Sequence, residues 1–251
     1  MLISEILDNK TASGLITEIY NKLDKPSPIG QYISFPPQKI RLEILPKGWD
    51  VNGGIWHAMN ALLTWGYGKY DKEKARNSLI KNSMTKRAET YPNIWYGIWS
   101  GPDAYIADYA GNAGQAFYHL TTPMCDFPLM NLNLHACYLL SVIKALGIEN
   151  TFESLTINEN IFEKDFEFKS CLLDIDSKSN LFKIQYKGNN NKDFIIKIRK
   201  PAFWNVNTRI YLNKNLINLE LENISIEGDY ISLKLKEKYE QIEILITSQP
   251  I

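Results

Sequence analysis

The hydrophobic pattern of this 251-residue chain changes period near residue 162, and this change constrains the fold more than any other feature. Before it, apolar residues recur three or four positions apart, as in amphipathic helices. After it, short segments rich in Ile, Phe and Leu partly alternate with polar residues, which is the period of half-buried strands. We therefore predict an α+β multidomain protein, with a helical domain over 1–158 and a C-terminal β domain over 159–251.

The predicted helices lie in the first half and the predicted strands in the second. The helices are Ser13 to Asp24, about Ile55 to Tyr67, a helix capped by Asp71 that runs through Glu89, and about Asn133 to Leu146. The strands are 166–175, 181–186, 194–198, 208–212, 216–221, 230–235 and 242–246. Short strands at such regular spacing are typical of an antiparallel β-sandwich.

Composition narrows the classes of partner. The 28 basic residues balance the 28 acidic ones, and a nucleic-acid or anionic-membrane surface needs clustered basic residues, so we expect neither partner. No apolar run is long enough to predict a membrane helix, and the N-terminus lacks an export pattern, so a cytoplasmic location is the default. The cysteines Cys125, Cys137 and Cys171 fit neither a disulfide framework nor a zinc site, and we expect buried thiols, no metal and no cofactor.

Tryptophans give the first functional indication, because five of the six lie between 49 and 99. Aromatic faces stack on the apolar faces of sugars, but they also fill protein cores, and both interpretations stay open for each residue. The loop positions of Trp49, Trp95 and Trp99 favour binding.

Three segments concentrate residues that could carry chemistry. In 49–57, two glycines let the backbone approach a ligand at the start of a helix, where free N–H groups can hold an anion or a sugar hydroxyl; the alternative is a tight turn in which His57 packs or caps. Segment 87–105 is dense in Trp, Tyr and Gly with isolated carboxylates. In 117–135, polar residues such as His119 punctuate an apolar background, as ligand contacts or as buried hydrogen-bonded scaffolding.

Carboxylates are the groups that inverting glycosidases need, one as acid and one as base, about 6.5–9.5 Å apart. The candidates are Asp50, Glu89, Asp103, Asp108 and Asp126. Each of these residue types serves more often as a helix cap or an ion-pair partner. The chain carries no nucleotide-binding, serine-hydrolase or zinc-hydrolase motif.

Three motifs occur in an order that resembles a known family. They are Asn52-Gly53-Gly54-Ile55-Trp56-His57, the aromatic loop 89–101, and Ala145-Leu146-Gly147-Ile148 followed by Leu155-Thr156-Ile157. Over about 48–160 the chain resembles the C-terminal region of the cellobiose-phosphorylase-like glycoside hydrolases, family 94. Members have an N-terminal β-sandwich, an (α/α)6 barrel and a small C-terminal β-sandwich, so the resemblance implies part of an (α/α)6-type helical barrel followed by the sandwich.

The chain departs from the family pattern in two ways. Phosphorylases carry a Thr-Gly pair that holds phosphate with the motif histidine, but the matching stretch here is Met130-Asn131-Leu132-Asn133-Leu134, without such a pair. His57 also lies one residue closer to the glycines than the histidine of the family pattern. Phosphorolysis with inorganic phosphate as co-substrate, hydrolysis and another glycosyl transfer therefore all stay open. The family's general acid lies upstream of the Gly-Gly motif, in a part of the barrel that this chain lacks, so the partner would be a separate N-terminal half or a further copy in a homo-oligomer.

Our leading hypothesis is the C-terminal part of a glycoside hydrolase or phosphorylase that cleaves oligosaccharides by inversion. Glu89 or Asp103 would supply the catalytic carboxylate. The substrate-binding residues would be Asp50, Gly53, Gly54, Trp56, His57, Trp95, Tyr96, Trp99 and His119.

Two other classes remain open. The first is an oligosaccharide-binding or assembly subunit with no chemistry of its own. The second is a polysaccharide lyase, which would use a Tyr or His base and basic residues that neutralise a uronate. The zero net charge and the few basic residues near the aromatic loop, chiefly Lys86 and Arg87, weigh against the lyase.

Overall fold

A computed structural model describes residues 2–4, 6–39, 45–94, 104–115, 132–158, 165–188, 190, 193–218 and 223–249. The chain forms two compact units, Met1–Ala145 and Leu146–Ile251. The first is mainly helical and the second is built from strands, so the protein is of the α+β class. Within the described ranges, every helix is too short or too polar to cross a membrane.

The helical unit begins with α1, Asn9–Ile19, which continues as a π-helical turn, Tyr20–Asp24. Its first turn is capped by Asp8, whose carboxylate accepts hydrogen bonds from the Thr11 amide at 2.9 Å and the Thr11 hydroxyl at 2.7 Å. The helix therefore starts before Ser13, where the apolar spacing alone had placed it.

The next helices are α2, His57–Tyr70; α3, Lys72–Lys81; α4, Met84–Thr90; and α5, Leu132–Ala145. Asp71 caps α3 as predicted, and accepts from the Lys74 amide at 3.0 Å. The single helix predicted through Glu89 is instead two helices. The reason is Ser83, whose side-chain oxygen accepts from the Lys86 amide at 3.0 Å and so caps a new helix start.

In this unit α2 packs against α3 and α5, and a small sheet lies next to the start of α2. The Thr64 and Ser78 hydroxyls, on α2 and α3, hydrogen-bond at 2.6 Å. Strand β1, Ile55–Trp56, pairs antiparallel with β2, Ala104–Tyr105. Beside this pair lies a buried cluster formed by Ile29, Tyr32, Ile55, Tyr105 and Ala107. The sheet was not predicted, because two-residue strands leave no alternating pattern.

The second unit contains two sheets. Their strands are β3 Ile148–Asn150, β4 Ser154–Ile157, β5 Phe166–Lys169, β6 Leu173–Lys178, β7 Leu181–Tyr186, β8 Ile195–Arg199, β9 Arg209–Leu212, β10 Asn215–Leu216, β11 Ile224–Glu227, β12 Tyr230–Lys234 and β13 Ile242–Thr247. One sheet has the order β10-β9-β13-β7-β6-β5 and the other β11-β12-β8-β4-β3.

Each sheet of the second unit buries one face. Along β7 and β8, buried residues such as Ile184 and Ile196 alternate with more exposed ones. The ring of Tyr186, at the end of β7, stacks on that of Phe194, next to β8, with centroids 5.9 Å apart. The unit is therefore a β-sandwich.

Beyond β4, the strands differ from the sequence prediction in three places. The predicted strand 166–175 is the β5–β6 hairpin, turned at Ser170, whose hydroxyl oxygen accepts from the Leu173 amide at 2.9 Å. Strand β11 was not predicted, and β10 ends at Leu216. Cys171 is exposed in the hairpin turn, so the expectation of a buried thiol is wrong there; Cys137 is half-buried, and Cys125 lies outside the described residues.

Strands β3 and β4 explain where the second unit begins. Strand β4 pairs parallel with β8, with Leu155 opposite Ile196, and β3 pairs with β4. The sandwich therefore contains a parallel pair, whereas the sequence had led us to expect a wholly antiparallel one. This pairing places 146–158 with the strands, whereas the sequence analysis had divided the chain after 158. Local pattern could not reveal it, because the partner strand lies far along the chain.

We expect Asp71→Ala to lower the free energy of unfolding by about 1 kcal/mol, because the first turn of α3 loses its cap. Urea titration measures the change. Arg76→Ala, at an exposed position of the same helix, is the control and should change the value by less than about 0.5 kcal/mol. Equal effects of the two substitutions would contradict the role of the cap.

Candidate functional site

Three aromatic rings meet on the surface of the helical unit. Tyr32 stacks on Phe35 with centroids 5.6 Å apart, and Tyr109 meets Tyr32 at 5.2 Å and Phe35 at 5.7 Å, edge to face. Tyr32 is buried, whereas Phe35 is 48% exposed and Tyr109 40% exposed. We call Phe35 and Tyr109, with Tyr32 beneath them, the aromatic surface.

A carboxylate belongs to the aromatic surface. The exposed Asp108 accepts a hydrogen bond at Oδ1 from the Tyr32 hydroxyl at 2.5 Å. Burial raises the pKa of Tyr109 to about 12, and the charge of Asp108 adds to this; both causes also raise the pKa values of Tyr32 and Tyr91. The phenols around Asp108 therefore stay protonated, and able to donate, through the physiological pH range.

The glycine-rich segment supports the aromatic surface from below. The Tyr109 hydroxyl donates to the Gly53 carbonyl at 3.1 Å, and a Cβ at Gly53 would lie 2.1 Å from that hydroxyl oxygen. Gly53 also has φ +99°, which favours glycine. The Gly54 amide donates to the Asp50 carbonyl at 2.8 Å, and the Gly54 carbonyl accepts from Ile33 at 2.8 Å. The Gly54 N–H that was predicted to bind a ligand thus closes a turn.

His57 lies in the interior of the helical unit. Its Nδ1 is 3.0 Å from the Asn82 carbonyl oxygen, which can only accept, so Nδ1 carries the proton. Burial, helped by the charge of Arg87 and opposed by the hydrogen bond to Asn82, lowers the pKa of His57 to about 4. The neutral ring packs edge-on against Tyr105, with centroids 4.8 Å apart. This is the packed arrangement that was one of two alternatives for the segment.

Arg87 is buried completely in the same interior. Its guanidinium donates to the Ile94 carbonyl at 3.0 Å and the Gly114 carbonyl at 3.0 Å, and its Cζ stands 4.7 Å from the centre of the Tyr105 ring. Burial lowers the pKa of Arg87. Within the part of the chain that the structure describes, no carboxylate forms an ion pair with it.

The remaining predicted site residues are placed unequally. Glu89 lies on an exposed face of α4, where its carboxylate is 3.7 Å from the Lys86 Nζ. Trp56, the last residue of β1, is half-buried. Five predicted residues lie outside the described residues: Trp95, Tyr96, Trp99, Asp103 and His119. Of the predicted substrate-binding residues that the structure describes, Gly53 contacts the aromatic surface, and Asp50 and Gly54 form the turn that carries it.

Sequence reasoning missed the aromatic surface because it followed the tryptophans. Asp108 was one of five candidate carboxylates, but Tyr32 and Phe35 lie in the stretch 25–49, whose five prolines predict irregular structure, and Tyr109 carried no separate signal. The adjacent Asp108 and Tyr109 were the signal that could have found it. Across the described ranges, no group of three or more His, Cys, Asp or Glu side chains could hold a metal ion.

No protein-family profile matches the chain, and no curated protein sequence does either. Among solved structures, the chain is similar to an alpha-L-rhamnosidase from Dictyoglumus thermophilum, with 9% identity over 50% of this chain and 16% of that one, at a TM-score of 0.30. It is also similar to a GH127 beta-L-arabinofuranosidase from Geobacillus stearothermophilus T6, with 9% identity, 78% and 32% coverage and a TM-score of 0.29.

A further GH127 beta-arabinofuranosidase matches with 11% identity over 79% of this chain and 33% of that one, at a TM-score of 0.32. These neighbours are glycoside hydrolases, and this chain spans a third or less of the length of each of the three. At such TM-scores the likeness supports no conclusion about the fold or activity of this chain, and we infer both from its own residues and contacts.

The buried His57 predicts a pH dependence of stability. Its pKa is about 4 in the folded protein against 6.5 in the unfolded chain, so the unfolded state binds more protons between these values. The contribution of His57 to the free energy of unfolding is constant above about pH 6.5. As the pH falls below that value, the free energy of unfolding decreases by up to about 1.4 kcal/mol per pH unit.

His57→Asn keeps a donor for the Asn82 carbonyl and removes the titration. We therefore expect the free energy of unfolding of this variant, measured in urea, to fall less than that of wild type between about pH 7 and about pH 5. Identical pH profiles of the two proteins would contradict the buried, neutral state of His57.

Proposed function

We propose that the helical unit binds an oligosaccharide on the aromatic surface, and that the chain is the C-terminal part of an inverting glycoside hydrolase. One observation carries the proposal: two exposed aromatic rings, Phe35 and Tyr109, pack against Tyr32, whose hydroxyl binds the exposed carboxylate of Asp108. Sugars offer apolar C–H faces that stack on aromatic rings and hydroxyl groups that donate to carboxylates.

Asp108 is the carboxylate that we propose as general base. The Tyr32 hydroxyl holds Oδ1, and Oδ2 would take the proton of the attacking water. Inversion also needs an acid on the other side of the glycosidic bond. Following the family resemblance, the acid would come from the upstream part of the barrel, with Asp103 and Glu89 as candidates within this chain.

We favour water over inorganic phosphate as the acceptor. The candidate phosphate contacts were His57, from the family resemblance, and the backbone N–H groups of Gly53 and Gly54, from their place at a helix start. His57 is buried, and the Gly54 N–H already donates to Asp50. Sugar release is therefore to be assayed both without and with phosphate.

The helices are proposed to form part of an (α/α)6 barrel that another polypeptide completes. Apolar side chains are exposed on two packed helices: Met59 and Leu62 on α2, and Leu139 and Leu140 on α5. An upstream half of the barrel, in a separate chain or a second copy, would cover them.

A non-catalytic oligosaccharide-binding subunit is the second candidate function. In the described part of the chain, Asp108 is the carboxylate bonded to the aromatic surface, whereas inversion needs two carboxylates. A lyase has less support, because Arg87 and His57 are buried and would not meet a uronate.

Phe35→Ala should weaken oligosaccharide binding at least about tenfold, because the sugar loses a stacking face worth about 1.4 kcal/mol. Calorimetric titration with neutral gluco-, galacto- and manno-oligosaccharides measures the affinity. The matched control is Phe152→Ala, which removes a phenylalanine that is 82% exposed in the other unit. Equal affinities of wild type and the Phe35 variant would overturn the proposed surface.

Asp108→Asn should reduce sugar release by about 10²- to 10⁴-fold while binding persists, because the amide keeps the shape and cannot accept the proton. Glu89→Gln, assayed beside it with and without phosphate, tests the other carboxylate. Loss of turnover in the Glu89 variant alone would remove Asp108 from the mechanism. Tight binding with no release by wild type, even when the upstream half is supplied, would favour the non-catalytic subunit.

A further inference from the structure

The segment 31–38 carries two of the three rings of the aromatic surface, yet it forms no helix and no strand. A single bridge links Tyr32 to Ile55, and positions 36 and 37 are prolines, which have no N–H to donate. A segment of this kind holds its shape only if other groups satisfy its backbone N–H and C=O groups.

At one end of the segment, Asn60 supplies these partners. Its Oδ1 accepts from the Gln31 amide at 2.6 Å, and its Nδ2 donates to the Gln31 carbonyl at 3.2 Å and the Trp56 carbonyl at 2.9 Å. The side chain is buried. Gly30 has φ +126°, and a Cβ there would lie 2.9 Å from the Asn60 Oδ1, so the close approach requires glycine.

At the other end, Asn52 makes the same pattern. Its Oδ1 accepts from the Gln38 amide at 2.7 Å, and its Nδ2 donates to the Gln38 carbonyl at 3.4 Å and the Leu45 carbonyl at 3.0 Å. It is buried as well. Each asparagine thus pairs with both backbone groups of one residue, as a neighbouring strand would.

We propose that Asn52 and Asn60 are positioning residues that fix the aromatic surface for its saccharide. The inference rests on the proposed function and deepens it. Neither side chain reaches the exposed rings, so both act through the segment that they hold. Without Asn60, the backbone groups of Gln31 lose these partners, and the neighbouring Tyr32, which contacts Asp108, is held less firmly.

The test compares Asn60→Ser with Asn82→Ser. Asn82 is buried in the same unit, and its Nδ2 donates to the His57 carbonyl at 3.2 Å, so its removal also costs a buried amide but leaves 31–38 untouched. We expect the Asn60 variant to bind a neutral oligosaccharide at least about tenfold more weakly, and the Asn82 variant within about twofold of wild type. Binding is measured by calorimetry well below each melting temperature.

A second readout does not depend on sugar. Hydrogen exchange followed by mass spectrometry should show faster exchange of the 31–38 amides in Asn60→Ser and in Asn52→Ser, but not in Asn82→Ser. The Asn52 variant also serves if the Asn60 variant fails to fold.

The outcomes separate the two proposals. Equal loss of affinity in the Asn60 and Asn82 variants, or unchanged exchange at 31–38 in both the Asn60 and Asn52 variants, would overturn the positioning role. A wild-type protein that binds no saccharide would overturn the proposed function, and the exchange result would then decide alone whether the two asparagines fix the segment.

Discussion

The buried guanidinium of Arg87 is the interaction on which the helical unit depends most. A charge removed from water costs several kcal/mol unless nearby groups compensate it, and two carbonyl oxygens and the Tyr105 face do so here. Arg87 lies on α4, Tyr105 on β2 and Gly114 beyond it. One side chain therefore ties α4 to the segment 104–114, which carries Asp108 and Tyr109.

The aromatic surface itself is set by polar groups more than by apolar packing. The Tyr109 hydroxyl reaches the Gly53 carbonyl, the Tyr32 hydroxyl reaches Asp108, and side-chain amides hold the ends of 31–38. Hydrogen bonds of this kind have preferred directions, so they fix where each ring lies, whereas apolar contacts tolerate sliding. A rigid surface loses less conformational entropy when a ligand binds.

The change of hydrophobic period, the Asp71 cap and most strands of the sandwich could be predicted, because they depend on residues close together in the sequence. The break at Ser83 could not, because a serine within a helical pattern either caps a helix or points to solvent. Among five carboxylates the sequence could not choose Asp108, because its partner Tyr32 lies 76 residues away. Gly53 and Gly54 were recognised as candidate site residues, but the contact between Gly53 and Tyr109 could not be, because it forms only in the tertiary structure.

The parallel pairing of β4 with β8 bears on how the sandwich can be isolated. Strand β8 lies inside its sheet, with β12 on one side and β4 on the other. A fragment cut after residue 158, the domain boundary predicted from the sequence, would lack β3 and β4 and leave one edge of β8 bare. Unpaired backbone groups on an apolar strand recruit strands from other molecules. Such a fragment would tend to aggregate, whereas one that begins at Leu146 keeps this edge covered.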